Sequence, residues 1–98
     1  MSRFVNVAIG QLGPIARQET RAQVVQRLSA LMLQAHQMGC DLIVFPELAL
    51  TTFFPRWYIE DIVELNAYYE REMPGPETQG LFDLSRRLGI GFYIGYGE

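Results

Sequence analysis

Lysine is missing from this sequence: all eight basic residues among its 98 positions are arginine. Chemistry that depends on a lysine amine, whether as a nucleophile or as a compact fixed cation, therefore has no source within these residues. The arginines are scattered and the formal charge is −3, which excludes the basic stripe of a nucleic-acid-binding surface. Cysteine occurs once, as Cys40, so no intramolecular disulfide can form. The opening Met1-Ser-Arg-Phe4 has no charged-then-apolar leader, and a cytoplasmic location is expected. No apolar run approaches the ~18 residues of a membrane-spanning helix, so no membrane partner is expected. The single histidine, His36, has no second histidine or cysteine at ligand spacing, which excludes a zinc-type site.

What is present is 49% apolar, enough for one modest core in a chain of this size. Phe4 to Gln11 is a short run rich in β-branched residues, closed by Gly13-Pro14, and predicts a first strand. Thr20 with Gln23 three residues later is a capping-box signal. Val24, Val25, Leu28, Leu31, Met32 and Ala35 then recur on one helical face, opposite Gln23, Arg27 and Gln34. Gly39 is a natural stop, so a helix is predicted over 21–38, with His36 in its last turn. Asp41 to Phe45, bounded by Gly39 and Pro46, predicts a second strand, parallel to the first through a right-handed crossover.

Ala49 to Trp57 has neither period and reads as a loop exposing aromatics near the end of the second strand. Ile59 to Tyr69 is weakly helical, with Ile62, Leu65 and Tyr69 on one face, and Met73-Pro-Gly-Pro76 ends it. Pro76 and Glu77 in a first turn, Leu81, Leu84 and Leu88 on one face, Arg86 and Arg87 in the last turn and Gly89 after it predict a further helix. Ile90 to Tyr96 predicts a third strand. Its glycines follow a helix and lie within a strand, which is the wrong context for a phosphate-binding loop and points to close sheet packing. The order is β-α-β-loop-α-α-β, an α/β class.

In open α/β sheets ligands sit outside the carboxyl ends of the strands, and Glu47 falls just past such an end. Pro46 restricts the backbone on either side of it, so the carboxylate leaves the strand in a defined direction. Partial burial there would bring it into general-base range. The competing reading is that Glu47 caps a turn or pairs with Arg56. The loop after it offers Phe53, Phe54 and Trp57 as apolar walls and Arg56 for a substrate carboxylate; packing against a neighbouring layer or subunit is the alternative.

The string Val44-Phe-Pro-Glu47-Leu-Ala-Leu, after a unit opening with Val7-Ala-Ile-Gly-Gln11, resembles the start of the nitrilase superfamily of carbon-nitrogen hydrolases. Gly10-Gln-Leu-Gly-Pro-Ile-Ala16, the loop Phe53-Phe-Pro-Arg-Trp57 and Glu72-Met-Pro-Gly-Pro76 narrow the resemblance to N-carbamoyl-D-amino-acid amidohydrolases. The resemblance implies a four-layer α-β-β-α sandwich, of which residues 1–98 would be the N-terminal portion. It also implies hydrolysis of N-carbamoyl-D-amino acids by a Glu-Lys-Cys triad, with Glu47 moving protons, a small-molecule substrate, no cofactor, and a homo-oligomeric full-length protein.

Cys40 cannot be the nucleophile of such a triad, because it precedes the second strand and Glu47 follows it, roughly 20 Å away for a full strand length. It reads as a small buried apolar residue. With no lysine and no usable cysteine, the expectation is a fragment carrying one catalytic residue of three. Two alternatives stay open: another superfamily amidase, nitrilase or β-ureidopropionase, and a non-enzymatic α/β module that binds a partner through its sheet face and Phe53, Phe54 and Trp57.

Overall fold

The computed structural model describes residues 4–98. The reading of Met1 to Arg3 as free of a leader lies outside them. Three short strands, β1 (Val7–Ile9), β2 (Leu42–Val44) and β3 (Gly91–Tyr93), form a parallel sheet in the order β1-β2-β3. Three helices accompany them: α1 (Arg21–Gln37), α2 (Ile62–Asn66) and α3 (Gln79–Leu88). The α/β reading and the element order hold, and β2, which leads to Glu47, is the central strand.

Two crossovers that step the same way across a parallel sheet place their helices on one face. The register aligns Ala8, Ile43 and Phe92 on that face. Ile43 is fully buried there with Val24, Leu28 and Met32 of α1 and Leu81 of α3. Phe82 of α3 meets Phe92 edge-on at 5.0 Å. The opposite face carries Val7, Ile9, Val44 and Tyr93, and Ile9 is 77% exposed.

The helix ends follow the capping chemistry. Thr20 accepts a hydrogen bond from Gln23 N, and the Gln23 side chain accepts one from Thr20 N. Gly39 (φ 81°) and Gly89 (φ 70°) take the left-handed conformation that follows a helix, which costs glycine nothing. Arg27 bridges from α1 to the preceding loop, donating to Leu12 O and Pro14 O and pairing with Glu19 at 2.9 Å.

Four boundaries differ from the sequence reading. The strands are three residues each, because Phe4 and Val5 are exposed without ladder partners and β2 runs into Pro46, which has no N–H. The chain after β3 goes on pairing, to the segment beyond β2 and through a parallel bridge between Gly97 and Tyr69. The region from Ile59 to Tyr69 forms only the five-residue α2, capped by Asp61, and none of its residues is buried. Pro76 and Glu77 lie in the turn before α3, held by Thr78, whose hydroxyl accepts from Gly75 N at 2.7 Å.

Candidate active site

Glu47 stands at the carboxyl end of the central strand, and the segment carrying it is fixed on both sides. Before it, Phe45 is 2% exposed, and its ring lies across Gly10 and 6.3 Å from Phe92. After it, Ala49 and Leu50 are buried. Backbone bonds run to both neighbouring strands: Gly10 N donates to Val44 O at 2.7 Å, Phe45 N to Tyr93 O at 2.9 Å, and Ala49 N to Gly95 O at 2.8 Å. Between these anchors residues 47–50 form a turn, and Leu48 takes a left-handed φ of 48°. A branched side chain adopts that conformation only where its surroundings impose it.

Glu47 itself is exposed, which corrects the expectation of partial burial. The apolar neighbours anchor its backbone and leave its side chain outside. Among the described residues its carboxylate makes no hydrogen bond and no ion pair, so neither the turn cap nor the pairing with Arg56 forms.

The loop divides its aromatics between packing and exposure. Phe54 is buried in a short 3-10 turn (Phe54–Arg56), stacked on Tyr68 at 5.2 Å and edge-on to Tyr69 at 5.3 Å. It anchors the loop to the region after α2 and is not a substrate wall. Phe53 is 45% exposed. Arg56 is exposed, has no ion pair among the described residues, and lies 5.6 Å from the Trp57 ring.

Arg17 lies over the same ring at 5.2 Å and binds Glu64 and Tyr68. The Tyr68 hydroxyl first, then Glu64, raises the Arg17 pKa above its ordinary value. Arg21 pairs with the half-buried Glu70 at 2.8 Å. Sequence reasoning missed both links, since each joins residues more than forty positions apart.

Two open grooves, of about 840 and 590 Å³, flank α2. The smaller reaches Leu50, Thr51 and Thr52 of the loop, and Glu47 lines neither. Cys40 sits before β2, half-buried against the core, at the end of the strand away from Glu47. His36 is exposed in the last turn of α1, and the described residues hold no cluster of three metal-ligating side chains. No helix among them is long and apolar enough to cross a membrane.

Among the described residues Glu47 is thus an unpaired carboxylate at the carboxyl end of the central strand, the end outside which ligands sit in open α/β sheets. The sequence model of the carbon-nitrogen hydrolase family matches residues 6–98, and the chain belongs to that family. Its activity at the family level is hydrolysis of carbon-nitrogen bonds.

Proposed function

We propose that Glu47 is the proton-transferring carboxylate of an amidohydrolase that converts N-carbamoyl-D-amino acids and water into D-amino acid, ammonia and carbon dioxide. The observation that carries this reading is the state of the side chain. It is held by a fixed turn at the end of the central strand, yet is exposed and bonded to nothing among the described residues, so its carboxylate is open to a catalytic partner or a substrate.

In the proposed reaction Glu47 accepts the proton of a cysteine thiol as the sulfur attacks the carbamoyl carbon, and returns it to the departing ammonia. It then takes a proton from the water that hydrolyses the thiocarbamate, restoring the thiol and releasing a carbamate that falls to amine and carbon dioxide. A lysine beside the carbamoyl oxygen stabilises the oxyanion. Lysine and cysteine come from parts of the protein outside these 98 residues, since no lysine occurs here and Cys40 lies at the wrong end of β2. The exposed Phe53 and Arg56, which has no ion pair among the described residues, are the groups proposed for the substrate side chain and carboxylate.

The uncovered sheet face, with Val7, Ile9 and Tyr93 exposed, supports a four-layer sandwich in which a second sheet packs on it. Tyr58, Ile62 and Val63, all largely exposed, supply an apolar surface for self-association of the full-length protein.

The test is the Glu47→Gln variant of the full-length protein, assayed on a panel of N-carbamoyl-D- and L-amino acids, N-carbamoyl-β-alanine, aliphatic amides and nitriles. The wild type should prefer the N-carbamoyl-D-amino acids, and the variant should keep its fold and lose about 10²–10⁴ in turnover. Near-normal turnover by the variant refutes the role of Glu47. A wild type that acts only on a nitrile, an amide or the β-alanine derivative keeps the family and replaces the substrate.

A further inference from the structure

We infer that Gly95 is a positioning residue for Glu47, an inference that rests on the reading of Glu47 as the proton-transferring carboxylate. Beyond β3 the chain runs alongside the Glu47 turn so closely that only a residue without a side chain fits. A Cβ built on Gly95 would lie 2.9 Å from Glu47 Cα, 3.2 Å from Leu48 N and 3.2 Å from Pro46 O. All three atoms are backbone, so no rotamer change relieves the contact. The two segments are also tied by the bond from Ala49 N to Gly95 O.

The turn has little room to retreat. Phe45 is held before it, Ala49 and Leu50 are buried after it, and Leu48 already takes a left-handed φ. To reach ordinary contact, which begins at 3.4 Å, the two backbones have to separate by about 0.5 Å, a strain that falls on the Glu47 turn as well as on the Gly95 segment. A catalytic carboxylate must be held within about 0.5 Å of its productive place. Gly95 therefore sets where Glu47 stands without touching substrate, and its missing side chain is the feature that acts.

Gly97 supplies a matched control two residues on. A Cβ there would also meet an atom at 2.9 Å, but that atom belongs to the Tyr69 side chain and not to the backbone of the Glu47 turn. Gly95→Ala and Gly97→Ala are made in the full-length protein and compared for kcat, KM, the pH profile of kcat/KM and melting temperature. Gly95→Ala should lower kcat about 10-fold with KM within a few-fold, since an ångström of misplacement costs about 100-fold and the displacement here is about half of that. It should also move the acidic limb of the profile, whereas Gly97→Ala changes stability and leaves kcat and the limb in place.

If Gly95→Ala yields no folded protein, the double variant Leu48→Gly with Gly95→Ala decides. Glycine at 48 lets the turn yield to the methyl group, and kcat should fall at least 10-fold relative to Leu48→Gly alone. Equal kcat in that pair, or a folded Gly95→Ala protein with wild-type kcat and pH profile, overturns the inference. Equal losses at positions 95 and 97 overturn it too, by reducing Gly95 to packing. Loss of turnover in Glu47→Gln with full turnover in Gly95→Ala sinks the positioning role alone, whereas near-normal turnover in Glu47→Gln sinks the reading beneath it.

Discussion

Gly10→Ala tests whether the Phe45 ring is the peg that holds the end of β2. A Cβ at position 10 would lie 2.7 and 3.0 Å from two ring atoms of Phe45 and 3.1 Å from Ile43 Cδ1. Gly10 does not have a positive φ, so alanine fits the backbone and the effect is steric. Alanine also narrows the unfolded ensemble, which favours folding by about 0.4–1 kcal/mol. Overpacking a filled core costs about 1–3 kcal/mol, and Phe45 at 2% exposure has no open side to swing into. At mid-range values the steric cost wins, with a net loss of about 1 kcal/mol.

Phe45→Leu alone should also destabilise, by leaving a void over Gly10. Together the two changes compensate, because the methyl occupies the space the ring vacates. Chemical denaturation of the four full-length proteins should then give a coupling of about 1 kcal/mol or more, within the range for residues in contact. Additivity to within about 0.5 kcal/mol would refute the contact as the source of the effect.

Two further outcomes follow from features away from the site. The Ala16 N–H, and after it the Arg27 guanidinium, hold the Glu19 carboxyl below its ordinary value of 4.5. A group lowered on folding stabilises above its unfolded value, and that contribution disappears as pH falls through the folded value. The latch between α1 and the loop before it should therefore persist at and above the ordinary carboxyl value and loosen only as pH falls below it. An NMR titration of Glu19 should show a depressed midpoint that Arg27→Met raises only in part; a full return to the ordinary value would mean the Ala16 bond contributes nothing. The second outcome concerns the bare sheet face. Residues 1–98 expressed alone should self-associate and bind a hydrophobic dye, since Val7, Ile9 and Tyr93 are open to water. A monomer with a sharp cooperative melt would contradict this and favour a free-standing binding module.

How far the sequence could be read depended on whether the deciding contact was local. The limits of α1 were legible because Thr20 and Gln23 satisfy each other within one turn and Gly39 is needed where φ turns positive. Strand lengths were not, because apolar runs report which residues can be buried and not which N–H groups find a ladder partner; Phe4 and Val5 belong to the run and lie exposed. Phe54 stayed open between substrate wall and packing because nothing near it in sequence reveals Tyr68 and Tyr69, the rings it packs against. Glu47 was legible from a strand, a proline and a familiar string, but its exposure was not, since that depends on buried residues on both sides of the turn. Gly95 lies between these cases. A glycine inside a strand signals close approach by another backbone. Only the fold reveals that the approaching backbone is Glu47's own.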